Sequence, residues 1–174
     1  MARDAEAAQP PSWLVRVLIG RNPRRTLVRV AVLVVVCFVV FRLVFVTVYV
    51  DGISMLPTYK ENSLNFVNRL AYLFHEPRRG DVVAIGLQAG EHVMYMKRIV
   101  GLPGETVAFH GGRLFINGKP LDEPYVKRPC YWEHEPELVG PDQYYVVGDN
   151  RDMLWKDHEH GRAPRERIVG KILL

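Results

Sequence analysis

The feature that most limits how this chain can fold is an uninterrupted apolar run over residues 30–41. Within the longer segment of residues 27–49 the only strongly polar side chains are Arg29, Arg42 and Thr47. A helix that spans a bilayer needs about 20 apolar residues, and arginines near its ends can extend their charged groups to the lipid headgroups. The sequence therefore predicts a single N-terminal transmembrane helix, with the anchor over residues 27–49.

Two other interpretations of this segment are weaker. Its many valines also fit a β-rich core segment. A cleaved signal peptide is disfavoured, because no small-residue cleavage pattern follows the apolar run.

Positive charge is concentrated at the front of the chain. Lys and Arg outnumber Asp and Glu by 23 to 19, and the arginines that precede the apolar run are Arg16, Arg21, Arg24, Arg25 and Arg29. Cytoplasmic flanks of membrane helices carry such an excess. We therefore predict a single-pass protein of the cell membrane, with a cytoplasmic basic tail over residues 1–26 and an extracytoplasmic domain over residues 50–174. We expect these basic residues to interact with the lipid bilayer and not with nucleic acid. A short helix over residues 13–19 is expected to lie on the membrane surface.

From residue 51 onward the sequence is typical of an all-β domain, with short β-branched or alternating runs separated by Gly, Pro, Asn and Asp. Glycines predict tight hairpin turns at residues 110–113 and 116–119. The expected fold class is mainly β: one transmembrane helix followed by a coiled, largely antiparallel β-sheet domain with a small accessory hairpin region over residues 101–130. The candidate strands are residues 81–85, residues 94–100, Leu64–Asn68, Thr106–His110, Arg113–Ile116, Gln143–Val147 and Ile168–Leu173.

Some polar segments carry weaker expectations. Residues 131–141 are expected to form a solvated loop, with a lid as the alternative. The stretch DHEH, residues 157–160, is also expected to be a solvated loop, because no further ligands are patterned around it for a metal. Cys37 and Cys130 are expected to stay unpaired.

Ser54 lies just beyond the predicted anchor, in the stretch YVDGISMLPTYK. A serine hydroxyl becomes a nucleophile only when a nearby group takes its proton. The histidines are poor candidates for that base, since none has an orienting carboxylate at a fixed local spacing. Those in polar, loop-like stretches are His92, His134, His158 and His160.

Lys97 is the stronger candidate base. It follows Met94, Tyr95 and Met96 in a predicted strand, and apolar surroundings lower the pKa of an amine because they remove water from its charged form. A strand lysine is more often simply exposed on the outer face, so a structural role remains an alternative.

Five segments in order make the sequence resemble the type I signal peptidases, membrane-anchored serine proteases that remove signal peptides from exported proteins. The segments are DGISMLPTY, GDVVAI, KRIVGLPGE, RLFINGKPLDEPY, and GDNRD together with PRERIVGK, within residues 40–174. The resemblance implies a hydrolase in which Ser54 is the nucleophile and Lys97 the general base. It implies signal peptides of exported preproteins as substrates, cut after small residues, with no metal and no organic cofactor.

The resemblance also implies supporting roles for the surrounding residues. The amide of Ser54 and a main-chain group at Gly52 are expected to bind the oxyanion. The residues expected to shape the site without performing chemistry are Met55, Pro57, Asp149, Asn150 and Arg151.

One departure from the family pattern follows GDNRD. Leu154 stands where the family has a serine that orients the lysine, and a leucine side chain cannot form that hydrogen bond. Thr58, Asp157 and a water molecule are unranked candidates for the role. A non-catalytic or specialised membrane-tethered protein of the same fold therefore remains the alternative function.

Overall fold

A computed structural model describes residues 22–86 and 94–173. The chain divides into two compact units, residues 1–43 and residues 44–174. The short helix predicted over residues 13–19 lies outside the described residues.

The helix α1 spans Pro23–Val44. Proline suits the first turn of a helix because its missing amide hydrogen has no partner there. The backbone amide and the hydroxyl of Thr26 both donate to the carbonyl oxygen of Asn22. Within the stretch Arg24–Val44, a window of 18 residues has a mean hydropathy of 2.8, and the stretch is long and apolar enough to cross a membrane.

The predicted anchor over residues 27–49 is wrong at its carboxyl end. The helix stops at Val44, and Phe45–Tyr49 form a strand, β1, paired antiparallel with β2, Leu64–Asn68. A valine-rich apolar run fits either a helix or a strand. For these five residues the β interpretation is the correct one, because β2 supplies the hydrogen-bonding partner.

The second unit contains two antiparallel sheets, which confirms the mainly β, largely antiparallel fold class. Among the described residues, the larger sheet has the strand order β1-β2-β11-β3-β4-β9-β10, and the smaller has the order β7-β6-β5-β8. The other strands are β3 Val82–Gly86, β4 Met94–Gly101, β5 Thr106–His110, β6 Arg113–Ile116, β7 Lys119–Pro120, β8 His134–Leu138, β9 Gln143–Val147, β10 Gly161–Pro164 and β11 Ile168–Leu173.

All seven candidate strands are present, with shifts of one residue at β3 and β4. Both predicted hairpin turns are confirmed, with left-handed backbone at residues 111–112 and 117–118. The loop expected over residues 131–141 is wrong in part, because His134–Leu138 form the edge strand β8 beside β5. Pro136 hid this strand from the sequence pattern, since proline is tolerated in sheets almost only at an edge.

Strand β4 links the two halves of the core. Ile99 packs in the cluster of the larger sheet, whereas its neighbour Val100 packs with residues of the smaller sheet. Gly101 ends β4 at a point of close contact with Val107 and Tyr145. The strand that carries Lys97 is therefore fixed on both faces by packed side chains.

The contact at Gly101 predicts that Gly101→Ala destabilises the β unit. A Cβ atom there would lie 2.6 Å from Cγ2 of Val107 and 2.8 Å from Cβ of Tyr145. Overpacking of this kind costs about 1–3 kcal/mol. Urea unfolding of the detergent-solubilised protein, followed by tryptophan fluorescence, measures the change.

Gly86→Ala is the matched control on the neighbouring strand. Its added Cβ would lie 3.6 Å from the nearest side-chain atom, Cγ2 of Val169, an ordinary van der Waals distance. Equal unfolding midpoints for the two variants would contradict the packing described at Gly101.

Candidate active site

Ser54 lies in a turn between β1 and β2. Gly52 enters the turn with φ of +104°, a conformation that glycine adopts without the steric cost of a Cβ atom. The amide of Leu56 donates to the carbonyl of Ile53 at 3.1 Å. Met55, directly after Ser54, is buried with its side chain in the core beside β2 and β3. Burial of Met55 therefore holds the turn against the sheet while Ser54 stays partly exposed.

A second segment supports the same turn from the other side. The backbone amide of Asn150 donates to the carbonyl of Ser54 at 2.9 Å, and the side-chain amide donates to the carbonyl of Ile53 at 3.0 Å. Gly148 packs so closely on the Ser54 carbonyl that a Cβ atom would overlap it. The loop after β9 thus fixes the main chain on both sides of the Ser54 amide.

Lys97 lies on β4 with only 3% of its surface exposed. Its Nζ atom is 2.7 Å from Oγ of Ser54. Burial lowers the pKa of the amine from its ordinary value, and the nearby carboxylate of Glu159 partly opposes this. The protonated amine donates to Oγ, and the neutral amine can accept the hydroxyl hydrogen instead. The structure therefore brings together the two residues that the sequence singled out.

In the described part of the chain, the side chain in ion-pair contact with Lys97 is neither Thr58 nor Asp157, the two residues that the sequence offered for orienting it. Leu154 is 63% exposed. Thr58 donates its hydroxyl to Oδ2 of Asp149 at 2.6 Å. Asp157 lines the cleft beside Ser54. Among the described residues, the carboxylate closest to the amine is that of Glu159, whose Oε2 atom lies 3.8 Å from Nζ.

Asp149 joins β4 to the loop after β9. It accepts two hydrogen bonds from Arg98, from Nε at 2.8 Å and from an η nitrogen at 2.6 Å. Its side chain has no exposed surface, and that of Arg98 is 12% exposed. Because Arg98 follows Lys97 directly, this bidentate pair fixes the position of the lysine backbone relative to the Ser54 turn.

Arg151 connects the same loop to the smaller sheet. It is buried, its Nε atom donates to the carbonyl of Gly148 at 2.9 Å, and its η nitrogens donate to both carboxylate oxygens of Glu123 at 3.0 and 2.5 Å. Its guanidinium also lies over the rings of Phe109 and Trp132. The pairing with Glu123 satisfies a charge that would otherwise be costly to bury.

The expectation of a solvated loop at DHEH is wrong for His158. Its ring is 4% exposed, packs against Trp132 at 4.8 Å between centroids, and lies under Gly148. Burial lowers the pKa of His158 to about 3, so the ring is neutral near pH 7.

Within the part of the chain that the structure describes, no group of three potential ligands could hold a metal ion.

A cleft of about 310 Å³ opens in front of Ser54 and Lys97, and Gly52 and Met55 also line it. Residues 94–97 of β4 pair with β3 on one side, whereas β9 pairs with β4 only from Arg98 onward. Among the described strands, none is paired with the first half of β4 on the cleft side. Pro57 lies exposed in the Ser54 turn, outside the residues that line the cleft. The cleft therefore offers an unpaired strand edge next to a serine and a buried amine.

The comparisons with known proteins define the class. The family model described as "Signal peptidase, peptidase S26" matches residues 24–174. The chain belongs to the peptidase S26 family of signal peptidases.

Individual relatives agree with the family model. A signal peptidase I of Leptolyngbya laminosa is 39% identical over an alignment of 133 positions, which covers 72% of this chain and 66% of that protein. A signal peptidase I of Bacillus caldolyticus is 34% identical over an alignment of 157 positions, which covers 82% of this chain and 84% of that protein. The chain spans somewhat less than two thirds of the length of the Leptolyngbya laminosa relative and of a probable signal peptidase I-2 of Synechocystis sp., at 66% and 60%. A crystal structure of a signal peptidase I from Enterococcus faecalis V583 is 26% identical, covers 56% of this chain and 97% of its own, and has a TM-score of 0.47.

Several contacts at the site were not predicted from the sequence. Arg98 and Glu123 pair with residues 51 and 28 positions away, and no local pattern marks such pairs. Glu159 lies in a stretch whose sequence departs from the family pattern. One sequence signal does bear on the site. Side chains alternate along β4, which predicts that Lys97 shares a face of the sheet with Ile99.

The buried pair of Asp149 and Arg98 predicts that Asp149→Asn strongly destabilises the β unit. The substitution leaves a largely buried guanidinium without its counter-charge, at a cost of about 3–5 kcal/mol. Urea unfolding monitored by tryptophan fluorescence measures the loss.

Asp152→Asn makes the same chemical change three residues away. The Asp152 side chain is 45% exposed and lies 3.5 Å from Arg128, so its loss should cost at most about 1 kcal/mol. Similar losses in the two variants would show that the Asp149 pair contributes no more than a surface pair.

Proposed function

We propose that the protein is a membrane-anchored serine endopeptidase that removes N-terminal signal peptides from exported preproteins after small residues. The observation that carries this proposal is the 2.7 Å distance between Oγ of Ser54 and the buried Nζ of Lys97. Membership of the signal peptidase family supports the choice of substrate.

The proposed reaction begins with the neutral amine of Lys97. The amine takes the hydroxyl proton while Oγ of Ser54 attacks the scissile carbonyl carbon, forming a tetrahedral oxyanion. The carbon–nitrogen bond then breaks, and Lys97 returns its proton to the leaving amine, which becomes the new N-terminus. Lys97 next removes a proton from water, and the resulting hydroxide attacks the acyl carbon. The bond between that carbon and Oγ then breaks, and Lys97 returns the proton to Oγ, which regenerates the serine hydroxyl and the neutral amine.

Main-chain donors are proposed to stabilise the oxyanion. Gly52 and Ser54 both line the cleft, and the Ser54 carbonyl is already engaged by the Asn150 amide. A turn fixed in this way offers amide groups that need little reorganisation when negative charge develops. The proposed donors are the amide of Ser54 and a main-chain group at Gly52.

The substrate is proposed to bind as an added strand. Residues 94–96 of β4 present backbone groups that no described strand uses on the cleft side. An extended peptide can pair with such an edge, while its alternate side chains enter the cleft. The apolar part of the lining includes Val48, Ile53, Ala84 and Met96, which suits small apolar side chains.

The residues expected to shape the site keep that proposed role, each through a different contact. Met55 anchors the turn in the core, and Pro57 lies within the same turn. Asn150 binds the main chain around Ser54, Asp149 binds Arg98, and Arg151 joins the loop to Glu123. None of these side chains is proposed to exchange a proton with the substrate.

Membrane anchoring is indicated by the family together with the apolar helix Arg24–Val44. We further propose that the membrane is the cell membrane, that the basic residues before the helix lie in the cytoplasm, and that the β unit lies outside. The support is the excess of arginine before the helix.

The proposed orientation predicts the behaviour of a reporter that is active only outside the cytoplasm. Alkaline phosphatase fused after Leu174 should be active in intact cells, whereas the same enzyme fused before Met1 should be inactive. Activity of the amino-terminal fusion alone would reverse the orientation.

The dyad predicts the loss of preprotein cleavage in two variants. Ser54→Ala removes the nucleophile, and Lys97→Met removes the base, which contributes roughly 100-fold or more to such reactions. Cleavage of a preprotein with an Ala-x-Ala site by the detergent-solubilised protein measures both. Lys119→Met, an exposed lysine on the smaller sheet, is the control and should cleave at the wild-type rate.

The rate should rise with pH as Lys97 loses its proton. Because burial lowers the pKa of Lys97 below its ordinary 10.5, the rise should occur at lower pH than for a solvent-exposed lysine. A folded wild-type protein that cleaves no such preprotein at any pH would favour the non-catalytic alternative.

A further inference from the structure

The carboxylate of Glu159 lies beside the amine of Lys97, the group that the missing serine would orient in the family pattern. Its Oε2 atom is 3.8 Å from Nζ of Lys97, and Leu154 cannot supply a hydrogen bond. We propose that Glu159 is a positioning residue that holds the Lys97 amine towards Ser54 and sets the pH range in which the amine works as a base. This inference rests on the proposed peptidase function.

The neighbours of Glu159 fix its backbone on both sides. His158 is buried under Gly148 and against Trp132, and its Nδ1 atom lies 3.1 Å from the carbonyl oxygen of Glu159, to which it can donate. On the other side, the ring of His160 packs against that of Trp155, with 3.6 Å between centroids and 36° between the ring planes. Two anchored side chains thus determine where the intervening residue points.

This arrangement explains why a half-exposed glutamate can act on a buried amine. The Glu159 side chain is 53% exposed, whereas that of Lys97 is 4% exposed. The carboxylate therefore stays in contact with water, while it acts across 3.8 Å on an amine that has little water. An interaction with one desolvated partner is screened less than one between two surface groups.

Several other titratable groups face Lys97 or the carboxylate. The ring of Tyr95 lies 5.8 Å from Nζ on the same strand, and its hydroxyl interacts with Glu159. His158 and His160 face Lys97 from the segment that carries Glu159, and burial lowers the pKa of both, so they add no positive charge near pH 7. Asp51 and Asp157 lie farther along the cleft lining. Glu159 is the charged group in ion-pair contact with the amine in the described part of the chain.

The consequence for Lys97 has a definite sign. Glu159 favours the protonated amine and so raises its pKa, against the larger lowering effect of burial. Removing the charge in Glu159→Gln should lower the pKa of Lys97 further. The amine would then be neutral at lower pH but less well directed at Ser54.

The first experiment measures the amine directly. Full-length protein labelled with ¹⁵N-lysine is titrated in detergent, and the Lys97 signal is assigned by its absence in Lys97→Met. The pKa should be lower in Glu159→Gln than in the wild type. Glu166→Gln removes an equal charge at an exposed position and should leave the Lys97 titration unchanged.

The second experiment follows preprotein cleavage. In Glu159→Gln the acidic limb of the pH profile of kcat/KM should move to lower pH, while the rate on the high-pH plateau falls by up to about 100-fold because the amine is misplaced. Glu159→Asp keeps the charge on a shorter side chain, so its acidic limb should stay nearer that of the wild type. A purely structural role would lower the rate without moving the limb.

The two experiments separate this inference from the proposed function. An unchanged Lys97 titration in Glu159→Gln overturns the role of Glu159, even if the protein cleaves preproteins normally. If the wild-type protein cleaves nothing but the pKa of Lys97 is lower in Glu159→Gln than in the wild type, the peptidase function is overturned and the pairing of Glu159 with Lys97 stands.

Discussion

The amine of Lys97 is withdrawn from water and faces the Ser54 hydroxyl across 2.7 Å, and the rest of the β unit is arranged around that contact. A lysine in water is protonated at neutral pH and cannot accept a proton from serine. Burial shifts the balance towards the neutral amine, but it also makes the charged form costly to hold. The surrounding structure must therefore fix the amine tightly and still leave the serine open to a substrate.

Two segments that are far apart in the sequence meet that requirement. Strand β4 supplies Lys97 and Arg98, and the loop after β9 supplies Gly148, Asp149 and Asn150. The bidentate contact between Arg98 and Asp149 joins the two segments, while Asn150 binds the main chain of the Ser54 turn. The geometry of the dyad is thus set by backbone contacts and a buried ion pair, and it does not rely on the flexible lysine side chain alone.

The segment after Arg151 contributes to the site through packed side chains and one carboxylate. Its leucine is exposed, and its buried histidine packs beneath Gly148 instead of carrying charge. The carboxylate that reaches Lys97 comes from Glu159, five residues beyond that leucine in the chain. Packing among Trp132, Trp155 and the histidines holds this segment where polar contacts alone would leave it mobile.

Much of this protein was predictable from local sequence. The strands around the glycine-rich turns, the mainly β class and the pairing of Ser54 with Lys97 as candidates all follow from short patterns and from the family resemblance. The end of the helix at Val44 was not predictable, because residues 45–49 are as apolar as those before them. Strand β8 was also missed, since its proline and charged residues resemble a loop until β5 pairs with it.

The sequence by itself determined the apolar helix, seven of the eleven described strands and the chemical types available at the site, because these depend on neighbouring residues and their periodicity. Only the tertiary structure decided that Glu159, and not Thr58 or Asp157, contacts the lysine, that His158 is buried and neutral, and that Arg98 binds Asp149. Those outcomes depend on which segments meet across the sheets and how much water they exclude. Contacts between residues many positions apart carry no local pattern, and burial is known only once the chain has folded around them.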